Sequence, residues 1–98
     1  MGLQQNSTNS TVTNTASQVI SPNANRNKIV IQNMSASAVY YAHEQRDVVA
    51  GIYTILGGYE TIELTYAEDG DIALQSVWAR VRSGLANLAL IEFTPDSD

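Results

Sequence analysis

The chain carries one histidine, His43, and it stands in the most reactive-looking stretch of the sequence, next to Glu44, Arg46 and Asp47. A nucleophile triad needs such a histidine oriented by a third group and placed beside a serine on a strained turn. No Gly-x-Ser-x-Gly elbow occurs anywhere in the 98 residues. His43 instead follows a strand-like run and opens a polar stretch, the setting of a solvated or loop-packing histidine. Glu60 and Glu63 resemble a glycosidase pair in type but not in spacing. Three residues apart on a strand, they point to opposite faces and cannot flank one bond. Glu68-Asp69-Gly70-Asp71 gathers hard oxygen ligands around a glycine, as calcium loops do, but it lacks the alternating ligand spacing and the distal bidentate glutamate. A solvated turn is the plainer reading. No catalytic, cofactor-binding or metal-ligating residue is assigned, no cofactor is called for, and the expectation is a protein that is not an enzyme.

Composition narrows the remaining classes. The absence of cysteine removes disulfides, thiolate metal centres and thiol nucleophiles together. No apolar run approaches the roughly 20 residues of a membrane-spanning helix. The N-terminus lacks the basic and apolar regions of a secretory signal, and Asn6 stands where a myristoylation motif beginning at Gly2 requires Ser or Thr. Three Asn-x-Ser/Thr matches, at Asn6, Asn9 and Asn33, arise by chance in a segment this rich in those residues. Charge is unevenly placed. Residues 1–43 hold only Arg26 and Lys28, whereas residues 44–98 hold all ten carboxylates against three arginines, and the whole chain carries −5. A negative chain with no basic stripe repels phosphate backbones, so nucleic acid and membrane are not expected partners.

Residues suited to protein contact are easier to find. Trp78, Arg80 and Arg82 alternate along one strand face and belong to the types enriched in binding hot spots. Leu90, Ile91 and Phe93 lie in a closing run that is apolar on both faces, which implies a central strand or a subunit contact. Val12, Val19 and Ile20 are large aliphatics of an otherwise polar N-terminal segment.

The elements that must position these residues are strands. Residues 1–25 read as a polar arm able to add as a strand where an edge is offered. Residues 26–95 read as the folded domain, and 96–98 as an acidic tail. Ile29-Val30-Ile31 predicts a central strand, Val39-Tyr40-Tyr41 a second, and Ile52 to Leu56 a third. Gly57-Gly58 between that run and Tyr59 to Tyr66 predicts a hairpin turn. Ile62, Leu64 and Tyr66 share one face of the following strand. Val77, Ala79 and Val81 point inward in the next, and Ser83-Gly84 leads to Leu88–Phe93. Six to eight short strands with no helix of ten residues predict an all-β fold, a small antiparallel β-sandwich that is jelly-roll-like or immunoglobulin-like, with an extended N-terminal arm.

A pattern of strand and turn residues carries a resemblance. Asn25-x-x-Lys28-Ile29-x-Ile31-x-Asn33-x-Ser35, Val39-Tyr40, Gly57-Gly58, Val77-Trp78-Ala79, Ser83-Gly84 and Ile91-Glu92-Phe93 together resemble small tailed-phage capsid decoration or cement proteins. The chain departs from that pattern in the longer stretch at 43–50. The resemblance implies a virion structural protein on the outer capsid surface. Its partner would be the major capsid protein, and its assembly a homotrimer at capsid three-fold axes. A phage fibre, tail or adhesin module that binds a host surface is the alternative, using exposed aromatics such as Tyr40, Tyr41 or Tyr53.

Overall fold

Alternation of apolar and polar residues, with β-branched residues at the inward positions, is the pattern of a strand buried on one side. It recurs along the chain at short intervals. The computed structural model describes residues 3–95, so the acidic tail at 96–98 and the Gly2 motif lie outside the described residues. Eight strands form: β1 (Leu3–Val12), β2 (Ser17–Ile20), β3 (Lys28–Asn33), β4 (Val39–Ala42), β5 (Thr54–Leu56), β6 (Thr61–Thr65), β7 (Val77–Arg80) and β8 (Ala86–Pro95). They make two four-stranded sheets, ordered β1-β8-β3-β6 and β2-β7-β4-β5. The paired strands are antiparallel. Nearly every connection passes from one sheet to the other, and β4 to β5 alone stays within a sheet. Eight strands closed in this way form a jelly roll. Of the two sandwich closures compatible with the sequence, the immunoglobulin-like one, with seven strands split four and three, is not adopted.

The core is the meeting of the two inner faces. Ile29 and Ile31 of β3, Leu88 and Leu90 of β8, Val77 and Ala79 of β7, with Val39, Leu56, Val81 and Val12, are all buried in one cluster. Each fully buried aliphatic side chain contributes about 1.5–3 kcal/mol of transfer free energy. β3 and β8 are flanked on both sides, as their two-sided apolar runs predict.

Residues 1–25, read as an arm able to add as a strand where an edge is offered, supply β1 and β2, the outermost strand at one side of each sheet, and three other segments differ from the sequence reading. β1 pairs with β8 from Leu3↔Pro95 to Val12↔Ala86 without a break. Gly57-Gly58 is not a hairpin turn, because β5 pairs with β4 in one sheet and β6 with β3 in the other. The segment is a crossing between sheets. Gly58 is required there by close approach, since a Cβ would stand 2.3 Å from the carbonyl oxygen of Ala36. Residues 43–50 hold a short helix, α1 (Gln45–Ala50), ended by Gly51 in the left-handed region at φ 86°. The acidic turn is likewise helical: α2 (Tyr66–Asp69) runs into a 3₁₀ helix, Gly70–Leu74.

Strand directions sort the connections into two ends. Residues 13–16, 34–38, 57–60 and 81–85 turn at one end, in short links. Residues 21–27, 43–53 and 66–76 turn at the other, in longer links that carry both α-helices and the 3₁₀ helix.

Candidate functional site

Two of the long links, 43–53 and 66–76, border an open cavity of about 420 Å³, within the range of small-molecule pockets. Its wall comes from β4, α1, the residues before β5, and the 3₁₀ helix. Tyr41, His43, Asp47, Tyr53, Ile52 and Ile72 line it, among others. The positions follow from local structure. Tyr41 lies two residues beyond the buried Val39 on β4, so it shares the inward face at the open end of the sheet. α1 is anchored by Val48, which is fully buried, and this fixes Asp47 beside the cavity. Ile52 and Ile72 leave 67% and 41% of their surface exposed.

His43 is held in place rather than solvated. Its Nδ1 lies 3.0 Å from the carbonyl oxygen of Ser76, and the Ser76 hydroxyl donates back to the carbonyl oxygen of His43 at 3.1 Å. A carbonyl can only accept, so Nδ1 carries a proton in this contact, which leaves Nε2 outside the bond to Ser76. Burial pushes the Tyr41 hydroxyl above the ordinary tyrosine pKa of 10.0, against the opposing hydrogen bond with Thr54. Tyr41 is therefore a neutral phenol near neutral pH. The Tyr53 ring packs against Tyr40 with centroids 4.6 Å apart, and the Arg82 guanidinium sits 5.9 Å from the Tyr40 centroid. Among the described residues, no lysine or arginine lines the cavity. Glu44 also borders it, paired to Arg46 at 2.7 Å. Among the described residues Asp47 has no ion-pair partner, and no group of three His, Asp or Glu side chains could hold a metal ion.

The residues singled out from the sequence do not converge. Val12 and Leu90 are core side chains. Val19 and Ile20 pack against that core from the side. Together with Asn6, Thr8 and Leu90 they border a second, polar cleft of about 350 Å³. Ile91 and Phe93 alternate with the buried Leu88 and Leu90 and so face outward from the first sheet, where the Lys28 ammonium lies 5.0 Å from the Phe93 ring centroid. Trp78, Arg80 and Arg82 face outward from the second sheet. Arg80 Nε is buried with no hydrogen-bond partner among the described residues.

Two structural side chains escaped the sequence reading. Arg26 is buried and bonds four partners on three segments: Nε to Glu92 at 2.7 Å, Nη1 to the carbonyls of Ala73 and Gln75, and Nη2 to that of Ser21. Asn33 is fully buried. Its Nδ2 donates to the carbonyls of Ser37, Leu56 and Gly57, and its Oδ1 accepts from the Ser35 amide. The cavity lining was missed because it is assembled from two separate links and the strands between them. The one available signal was the density of Tyr40, Tyr41, His43 and Tyr53 around the longest loop.

No family description matches the sequence, and no curated protein matches it either. Among solved structures, the chain is similar to an HTH_3 family transcriptional regulator from Vibrio cholerae. The TM-score is 0.63 and the identity 13%, over 94% of this chain and 44% of that one. The chain thus spans less than half of the protein it matches, and at this identity the likeness shows the fold.

That finding overturns the resemblance to phage decoration proteins. The virion structural reading, the major capsid protein as partner, the homotrimer on a capsid, the exclusion of nucleic acid and the fibre or adhesin alternative are all withdrawn. A solved structure that shares this fold is a transcriptional regulator. The physical reason is visible in the pattern itself. Asn33 closes a loop, Gly58 allows two backbones to touch, and Ile29, Ile31 and Val77 fill the core. These are residues a jelly roll needs whatever it binds.

Proposed function

We propose that this chain is a non-enzymatic ligand-sensing module of a transcriptional regulatory system, with the cavity at the long-link end as its effector site. The observation that carries this reading is the shared fold of 94% of the chain with 44% of a transcriptional regulator. The cavity supports it, being of small-molecule size and lined by aromatic and aliphatic side chains with a few polar groups. Its helices, six and four residues long, are too short to lie along a major groove as a recognition helix does. On this reading the contact with DNA comes from a helical unit joined to or docked on the sandwich. Effector binding acts through the 43–53 and 66–76 links, which Val48 and the His43–Ser76 pair tie to the sheet.

The test couples the chain to a helix-turn-helix unit of known operator and screens small metabolites for a change in operator occupancy. The expected result is at least one compound that both raises the melting temperature of the chain and changes occupancy, with both effects lost in Tyr53→Leu. Compounds that stabilise the chain but never change occupancy would contradict the regulatory reading.

A further inference from the structure

The cavity has an electrostatic character that selects among ligands. Two aromatic side chains, Tyr41 and Tyr53, stand in its lining, and burial raises the Tyr41 hydroxyl pKa further above neutral pH. Asp47 supplies a carboxylate with no ion-pair partner among the described residues, and His43 has a second ring nitrogen outside its bond to Ser76. No lysine or arginine lining residue opposes a positive ligand. An anion placed here would face the Asp47 and Glu44 carboxylates with no cationic side chain in the lining to offset them. The tyrosine pair already attracts a cation from its other member, since Arg82 stands over Tyr40, which packs on Tyr53.

We propose that the cavity binds a small organic cation of the alkylated-ammonium type. A primary ammonium ion needs three hydrogen-bond acceptors when it leaves water. A quaternary or methylated ammonium needs none and draws its binding from aromatic faces and aliphatic contact. Leu64, Ile52 and Ile72 provide that aliphatic contact, and the last two form an exposed apolar rim that such a ligand would cover. Asp47 sets the sign of the charge, and the tyrosines hold the alkyl groups. This rests on the reading of the cavity as an effector site but adds the class of effector.

The test is isothermal titration of the intact chain with three probes of nearly the same shape: choline, its neutral carbon isostere 3,3-dimethylbutan-1-ol, and the anion 3,3-dimethylbutyrate. Choline is expected to bind about tenfold more tightly than the neutral isostere, with no measurable binding of the anion. Asp47→Asn is expected to weaken choline several-fold while leaving the neutral isostere unchanged. Tyr53→Leu is expected to remove the preference. Equal binding of choline and the isostere, or tighter binding of the anion, would overturn the cationic class and leave the effector-site reading intact. Failure of choline to bind in the millimolar range would overturn the class as well. The comparison of probes is made on the unsubstituted chain, so it stands even where a variant folds poorly.

Discussion

The two ends of this jelly roll are built on opposite principles. At the short-link end a single buried amide, Asn33, satisfies three carbonyls and one amide from separate segments, and Gly58 lets the 57–60 crossing touch the backbone of Ala36. Polar groups of Asn33, Ser35, Ser37, Leu56 and Gly57 are matched to one another there. At the long-link end the helices stand apart and leave a cavity whose polar groups are only partly engaged. Unspent hydrogen-bonding capacity around a hollow is what a binding site requires, while complete pairing is what a closed loop requires. The same sandwich therefore carries a structural end and a functional one. Arg26 sits at the boundary, at the functional end in position but fully paired in chemistry.

This contrast can be broken by substitution. The largest effect is expected for Arg26→Ala, which strands the half-buried Glu92 carboxylate and frees three carbonyls. A loss of about 3–5 kcal/mol is expected, read from urea unfolding. Asn33→Leu follows, at about 3 kcal/mol, because four buried or part-buried backbone groups lose their partner. Gly58→Ala is expected to cost about 1–3 kcal/mol through its clash with Ala36. At the functional end the same experiment should show little: Tyr53→Leu is expected to change stability by less than about 1 kcal/mol while abolishing ligand preference.

The smallest effect sharpens the contrast through pH. The Tyr41 hydroxyl titrates above the ordinary 10.0 in the folded chain because burial disfavours the phenolate. In the unfolded chain it ionises at the ordinary value. Its contribution to stability is therefore complete below pH 10 and is lost as pH rises through the raised folded value. Absorbance titration of phenolate formation should show a late-titrating component that is absent in Tyr41→Phe and delayed further in the presence of a ligand that covers the cavity.

Much of the fold was legible in the sequence because the core is written in alternation. Ile29, Ile31, Val77, Ala79, Val81, Leu88 and Leu90 all lie where a period of two places them. The crossing at Gly57-Gly58 was not legible as such. A glycine pair signals freedom at a turn, and nothing local says whether the next strand pairs with the last or leaves for the other sheet. Arg26 and Asn33 were hidden for a related reason, since their partners are distant in the chain. The β1 strand was legible only as an arm able to pair at an open edge, and not with which strand. Asn, Ser, Thr and Gln supply no apolar face, and its placement comes from the ten-residue edge of β8 rather than from its side chains. The cavity was the least legible part. Tyr41, Asp47, Tyr53 and Ile72 acquire meaning only when α1 and the 3₁₀ helix bring them together. The phage resemblance failed because it was read from residues that specify the sandwich and say nothing of its partner.

The central claim is that binding belongs to one end and structure to the other. It is tested most directly by amide chemical-shift mapping of the chain during titration with choline. The account predicts shifts confined to residues 41–54, 64 and 72–76, with residues 33–37 and 56–60 unmoved at saturation. Shifts centred on the Asn33 end, spread evenly over both ends, or absent altogether would contradict it.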